Sequence, residues 1–172
     1  MKISEILTKI ADDINSKLQS QSAVVIANLA AISKDEEFLQ LSSPIILSLV
    51  NIEEVRNLKN KTSPSYSSGI TQNFSNLVFS VLFASPMIKS ADYLEGIDAL
   101  EEIIQYFKDK PIFQVQDSDL LINELNFNQK IAIEMISLST EELHHMWSYL
   151  GCYYMPSVLY KVRMLPNESV NL

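Results

Sequence analysis

SLSTEELHHMWSYLGCYYMPSVLYKVRM, residues 137–164, holds the chain's only Trp, its only Cys and both of its His. Such a concentration of scarce residues marks either an active site or a folded corner that one architecture requires. Taken piece by piece, it reads as structure. Ser139 stands three residues before Glu142, the spacing of a capping box that opens a helix. Leu143, Met146, Trp147 and Leu150 then make one apolar stripe. Gly151 falls where a left-handed residue ends a helix. Pro156 forbids resumption of the helix and holds Met155 extended. Beyond it Val158, Tyr160, Val162 and Met164 alternate with Leu159, Lys161 and Arg163, the pattern of a half-buried strand with a basic outer face. Trp147 and the tyrosines, Tyr154 and Tyr160 among them, are expected to seal the corner between helix and strand, with Ser157 counted among the corner residues.

Working outward, residues 3–18 form an amphipathic helix. Ile3, Ile6, Leu7, Ile10, Ala11, Ile14 and Leu18 share a stripe, while Glu5, Lys9, Asp12, Asp13 and Lys17 face away. SAVVIANLA (22–30) reads as a first strand on the β propensity of Val24, Val25 and Ile26. PIILSLVNI (44–52) and NLVFSVLFAS (76–85) are apolar on both faces; the first suits a central strand covered on both sides, or one covered on one side by a neighbouring subunit. A helix follows over 90–108, with Tyr93, Leu94, Ile97, Leu100, Ile103, Ile104 and Phe107 as its expected buried stripe and Pro111 as its stop. KIAIEMISL (130–138) reads as a strand, and DSDLLINELNF (117–127) fits a strand or a short helix. Residues 57–73 have no periodicity and are rich in Ser, Asn and Thr; they read as a long flexible loop. That loop is either an arm ordered on assembly or a plain surface excursion. Strands outnumber helices and βαβ alternation is missing. This predicts an α+β fold: one domain over residues 1–172, its mixed or largely antiparallel β-sheet flanked by helices.

Composition narrows the function. The chain is 47% apolar and 20% charged, which is globular usage. Its net charge of −8 argues against nucleic acid, whose phosphates need a Lys/Arg surface, and against an anionic membrane. A single cysteine allows no internal disulfide, so a reducing compartment at folding is expected. MKISEILTKIADDINSKL has no continuous apolar run of the signal-peptide kind. No stretch approaches the roughly 20 apolar residues of a membrane span. Synthesis in the cytoplasm and no direct membrane insertion are the expectations.

The residues that tempt a chemical reading do not converge. His144 and His145 are adjacent, so on a helix they diverge by about 100°, and no third His or second Cys exists to complete a metal site. Cys152 sits among Gly and Tyr, with no electropositive feature to lower its pKa. Glu53-Glu54, Glu101-Glu102 and Glu141-Glu142 are sequence neighbours that fit a solvated face. Gly69, Gly96 and Gly151 form no phosphate loop, and no Ser stands in a G-x-S-x-G elbow. No catalytic residue, cofactor or metal is expected, and the chain is read as not an enzyme.

The corner is also where the chain resembles a known family. Met146-Trp147-Ser148-Tyr149-Leu150-Gly151, followed by Tyr154, Pro156, Ser157, Tyr160 and Arg163, resembles a signature, LWSxLGxxYxPSxxYxVR, of the cap or tail-terminator proteins of phage-tail-like contractile injection systems. SLVNIEEVRNL resembles that family's strand and Arg-Asn turn. NLVFSVLFASPMIKSADYLEGIDALEEIIQYFKDKPIF resembles its apolar strand, polar link and helix ending near a proline. Met146 stands where the family has Leu, and the middle strand lacks its Tyr-Leu. The resemblance implies a phage tail-terminator-like fold and a homo-hexameric ring at the baseplate-distal end of the tail. Such a ring ends growth of the inner tube and sheath, with a second cap protein as a further candidate partner. It implies assembly in the cytoplasm, then a particle released from the cell or anchored to a membrane. The alternative is an adaptor of the same particle, linking the tail end to an effector or a membrane anchor. Candidate assembly contacts are Lys161 and Arg163, which either meet an acidic neighbour or form a solvated face, together with Arg56, Asn57 and Tyr66.

Overall fold

The strand Leu77–Ala84 has no solvent face: after half-buried Leu77, every residue is buried. A strand of this kind must be central, with cover on both sides. The computed structural model, which describes residues 2–18, 23–32, 45–54, 77–86, 93–116 and 128–165, shows how that cover is built. In chain order the elements are α1 (Ile3–Asn15), β1 (Val24–Ile26), the single turn α2 (Leu29–Ile32), β2 (Ile45–Glu54), β3 (Leu77–Ala84), α3 (Tyr93–Asp109), β4 (Ile112–Gln116), β5 (Asn128–Ile136), α4 (Thr140–Leu150) and β6 (Ser157–Met164). The strands form one six-stranded sheet in the order β1-β2-β3-β6-β5-β4. Only β1 and β2 run parallel; every other pair is antiparallel. The expected α+β fold with a mixed, largely antiparallel sheet is the one observed.

Two cores follow from the two faces. On the first, α1 and α3 cover Ile45, Leu47, Phe79, Val81, Phe83, Ile131, Ile133, Tyr160 and Val162. On the second, α2 and α4 cover Ile46, Leu82, Ala84 and Leu159. The stripe of α1 is the one its spacing predicts, with Ile6, Leu7, Ile10, Ala11 and Ile14 buried. Aromatic rings fill the first core beneath α3. Phe107 lies 4.6 Å from Tyr160 and 5.6 Å from Phe83, in tilted arrangements that suit ring quadrupoles.

Three expectations are corrected. The strand expected over 22–30 shrinks to Val24–Ile26, because Asn28 turns the chain. Its carbonyl accepts from Ala31 and Ile32 N–H, and its side chain accepts from Ala30 N–H, so a helical turn starts where the strand was expected to continue. In α3, Tyr93, Leu94 and Ile97 are exposed, Leu94 by 70%. Leu100, Ile103 and Phe107 are buried as expected, but Gly96 and Ala99 complete the inward stripe, so small residues face the sheet where Tyr93, Leu94 and Ile97 were expected. In β6, Leu159 belongs to the second core rather than to a basic outer face. The segments 57–73 and 117–127 lie outside the described residues.

Helices and sheet are clamped by one polar cluster. The carboxylate of Asp13 on α1 accepts from the hydroxyl of Tyr106 on α3, and from Lys110 Nζ at 2.5 Å. Lys110 also stands 4.6 Å from the ring centroid of Phe113 on β4, a cation–π contact. Burial pushes the Asp13 carboxyl up. The hydrogen bonds from Lys110 and Tyr106, and the charges of Lys110 and Lys9, outweigh it, and the net direction is below the ordinary value. A carboxyl held down in the folded state stabilises the fold above its unfolded pKa, and that contribution is lost as pH falls through the folded value. Asp13→Asn should therefore cost about 1 kcal/mol at pH 7. The gap from the unaltered chain should close as pH falls through the acid range, as read from thermal melts at a series of pH values.

Candidate functional site

The corner is built as its local signals predict. Glu142 N–H donates to Ser139 Oγ at 3.3 Å, and Ser139 N–H donates to Glu142 Oε2 at 2.8 Å, closing the capping box at the start of α4. The backbone and side-chain hydrogen bonds of Ser139 hold the Glu142 carboxyl below its ordinary range. Trp147 is 5% exposed at the centre of the second core, and Leu143, Met146 and Leu150 pack around it. Gly151 ends the helix at φ 66°, and its N–H donates to the Ser148 carbonyl. The Pro156 carbonyl then accepts from Ser85 N–H at 3.0 Å, which ties the corner to the end of β3. Ser157 follows directly, opposite Ala84 in the ladder.

The tyrosines do not act together. Tyr154 meets the Trp147 indole edge-on at 5.7 Å yet is 63% exposed. Tyr149 and Tyr153 are more than four-fifths exposed and seal nothing, since one lies on the outer side of α4 and the other in the link beyond Gly151. Tyr160 sits on the opposite face of the sheet from Trp147, in the first core. Burial pushes its phenol up to about 12, and its hydroxyl has no partner among the described residues. The corner proper is thus Trp147, Gly151, Tyr154, Pro156 and Ser157.

The residues with chemical potential stay apart. His144 and His145 are exposed on α4 with ring centroids 6.1 Å apart. Among the described residues, no three His, Cys, Asp or Glu side chains are placed to hold a metal ion. Cys152 is half-buried, and burial pushes its thiol up, away from the thiolate a nucleophile needs.

Lys161 and Arg163 occupy the half of the second face that α4 leaves uncovered. The ladders place Ser80, Lys161 and Glu134 in one row, and Glu53, Val78, Arg163 and Ala132 in the next. Arg163 donates to Glu134 Oε1 at 2.7 Å, and Lys161 Nζ lies 4.0 Å from Glu53. Each base has an acidic neighbour inside its own chain. Glu53 and Glu134 were missed as members of this surface. Alternation in KIAIE puts Glu134 opposite Ile131 and Ile133, but no local signal pairs that strand with β6. Arg56, Asn57 and Tyr66 lie outside the described residues. At the corner, Gly151→Ala should lower stability by about 1 kcal/mol in urea unfolding, through backbone strain alone, because an added Cβ meets nothing within 4 Å.

Comparison with known proteins places this arrangement. No curated protein sequence matches the chain significantly. Among solved structures, the sheath/tube terminator of the PVC extracellular contractile injection system, in its extended state, shares the fold at a TM-score of 0.57 and 14% identity, over 99% of this chain. The tube-terminating cap of the anti-feeding prophage shares it at 0.58 and 12% identity, over 100% of this chain. The chain spans 59% and 58% of the length of those two proteins. Among protein families, the profile of the Pvc16 N-terminal domain matches residues 5–171. With a match that runs through both cores and the corner, the chain belongs to the Pvc16 N-terminal domain family.

Proposed function

We propose that this chain is a structural cap, a tail terminator, of a contractile injection system. It sits at the baseplate-distal end, ends growth of the inner tube and sheath, and stabilises the tail. The single observation behind this is the likeness of its fold, over 99–100% of this chain, to part of a sheath/tube terminator and part of a tube-terminating cap. Residues 1–172 act as one tail-terminator-like domain, and six copies close into a ring. A ring of this kind uses two different patches per subunit, joined head to tail. Inner tube, sheath and a second cap protein are its partners. The chain becomes part of a contractile particle after assembly in the cytoplasm. Among the described residues no helix is long and apolar enough to cross a membrane.

The uncovered half-face bearing Lys161 and Arg163 is the assembly contact we propose, engaged as a balanced polar ladder rather than through free cations. Both ion pairs are solvated, with side chains 40–60% exposed. Exposed pairs contribute little to stability. Replacing both bases with Ala should therefore shift unfolding by less than about 1 kcal/mol, yet reduce incorporation into tails, scored by sedimentation and blotting. Electron microscopy of particles from cells lacking the chain tests the function itself. Overlong, ragged or collapsed tails with normal baseplates are expected; capped tails of normal length would overturn the reading.

A further inference from the structure

The two edges of the sheet are finished differently. At β1, Ile45 N–H donates to the Ala23 carbonyl and Ala27 N–H donates to the Leu47 carbonyl. In a parallel ladder this turns the main chain of Val24 outward. Asn15, at the end of α1, meets it there. Val24 N–H donates to Asn15 Oδ1 at 2.7 Å, and Asn15 Nδ2 donates to the Val24 carbonyl at 3.0 Å. One carboxamide thus occupies the outward groups of Val24, while those of Ile26, the other outward residue of this three-residue strand, are met by nothing among the described residues.

β4 has no such closure. Ile133 N–H donates to the Pro111 carbonyl at 2.9 Å, with Ile112 opposite Ala132 and Phe113 opposite Ile131. Main-chain groups alternate in direction along an antiparallel ladder. Pro111 and Phe113 therefore point their groups at β5, while Ile112 and Gln114 point theirs out of the sheet. Among the described residues nothing meets those outward groups. Protected edges are very short, carry charge, proline or a bulge, or are covered. β4 is five residues long with Pro111 directly before it, but IFQVQ itself carries no charge and no proline. Its Ile112 side chain is 50% exposed beside the open edge.

We propose that the β4 edge is a docking edge, where an extended segment of another protein of the particle pairs as a seventh strand. The proposal rests on the cap reading and names the form of the contact. A second copy of this chain does not fit. Pairing β4 with β4 is isologous and makes twofold pairs, not a six-membered ring. Pairing β4 with β1 requires an edge whose Val24 groups Asn15 already occupies, which leaves Ile26 alone to pair. Affinity would come from the main chain, and specificity from an apolar side chain laid over Ile112.

Hydrogen exchange resolved to single amides, on the free chain and on purified tails, tests this. The Ile112 and Gln114 amides should exchange freely in the free chain and slow by at least about tenfold in tails. Gln114→Pro removes an outward N–H while leaving the β5 ladder intact. It should lower incorporation into tails by about three- to tenfold, the worth of one hydrogen bond with its neighbours. Phe113→Pro, which removes an inward N–H, should instead lower the melting temperature. Unchanged exchange at Ile112 and Gln114 in tails that contain the chain would overturn the edge proposal and leave the cap reading standing. Tails that lack the chain altogether would overturn both. A photo-cross-linker at position 114 should capture a different protein, and capture of this chain alone would overturn the partner assignment.

Discussion

β3 dictates the architecture because it is apolar on both faces. A strand buried along its length needs strands on both edges for its main chain and helices on both faces for its side chains. β2 and β6 provide the edges, and two separate hydrophobic cores provide the cover. Every other element is placed by that demand. α1 and α3 are long amphipathic helices that close one face. α2 and α4 close part of the other, and the remaining part is left to paired charges standing over buried Val78, Ser80 and Ala132.

The helices are then fixed by a few polar contacts, part-buried at Tyr106 and Asn15 and exposed elsewhere. Asp13, Tyr106, Lys110 and Phe113 join α1, α3 and β4 at one point. Asn15 joins α1 to β1. Ser139, Gly151 and Pro156 set the length and exit of α4. These contacts contribute far less than apolar burial, at about 1 kcal/mol each against 1.5–3 for each large side chain buried. Their role is direction, since burial alone does not select one orientation of a helix over a sheet.

Among the described residues the charged groups are paired across strands, gathered at Asp13 and Lys110, or spread over helix surfaces. What the chain offers a partner is surface: an uncharged sheet edge at β4, a balanced polar half-face on β6, and exposed rings at Tyr149 and Tyr153.

The sequence by itself determined the local elements. Helix α1, the doubly apolar strand β3, the capping box at Ser139 and the left-handed stop at Gly151 are all readable, because their physics lies within a few residues, whereas β2 is covered only over Ile45–Ser48 and leaves Leu49 and Ile52 exposed. It also yielded the family resemblance through the spacing of Trp147, Gly151, Tyr154, Pro156, Tyr160 and Arg163. The tertiary structure alone decided the strand order, the inward turn of Gly96 and Ala99, and the burial of Leu159 against α4. It decided that Tyr160 and Trp147 lie on opposite faces, and that Lys161 and Arg163 find Glu53 and Glu134. It also set Asn15 against Val24 on one sheet edge and left the β4 edge bare. These contacts join residues up to 97 positions apart, as Asp13 and Lys110 are. Their geometry is set by the register between distant strands and the helices laid across them, and no local pattern encodes that register.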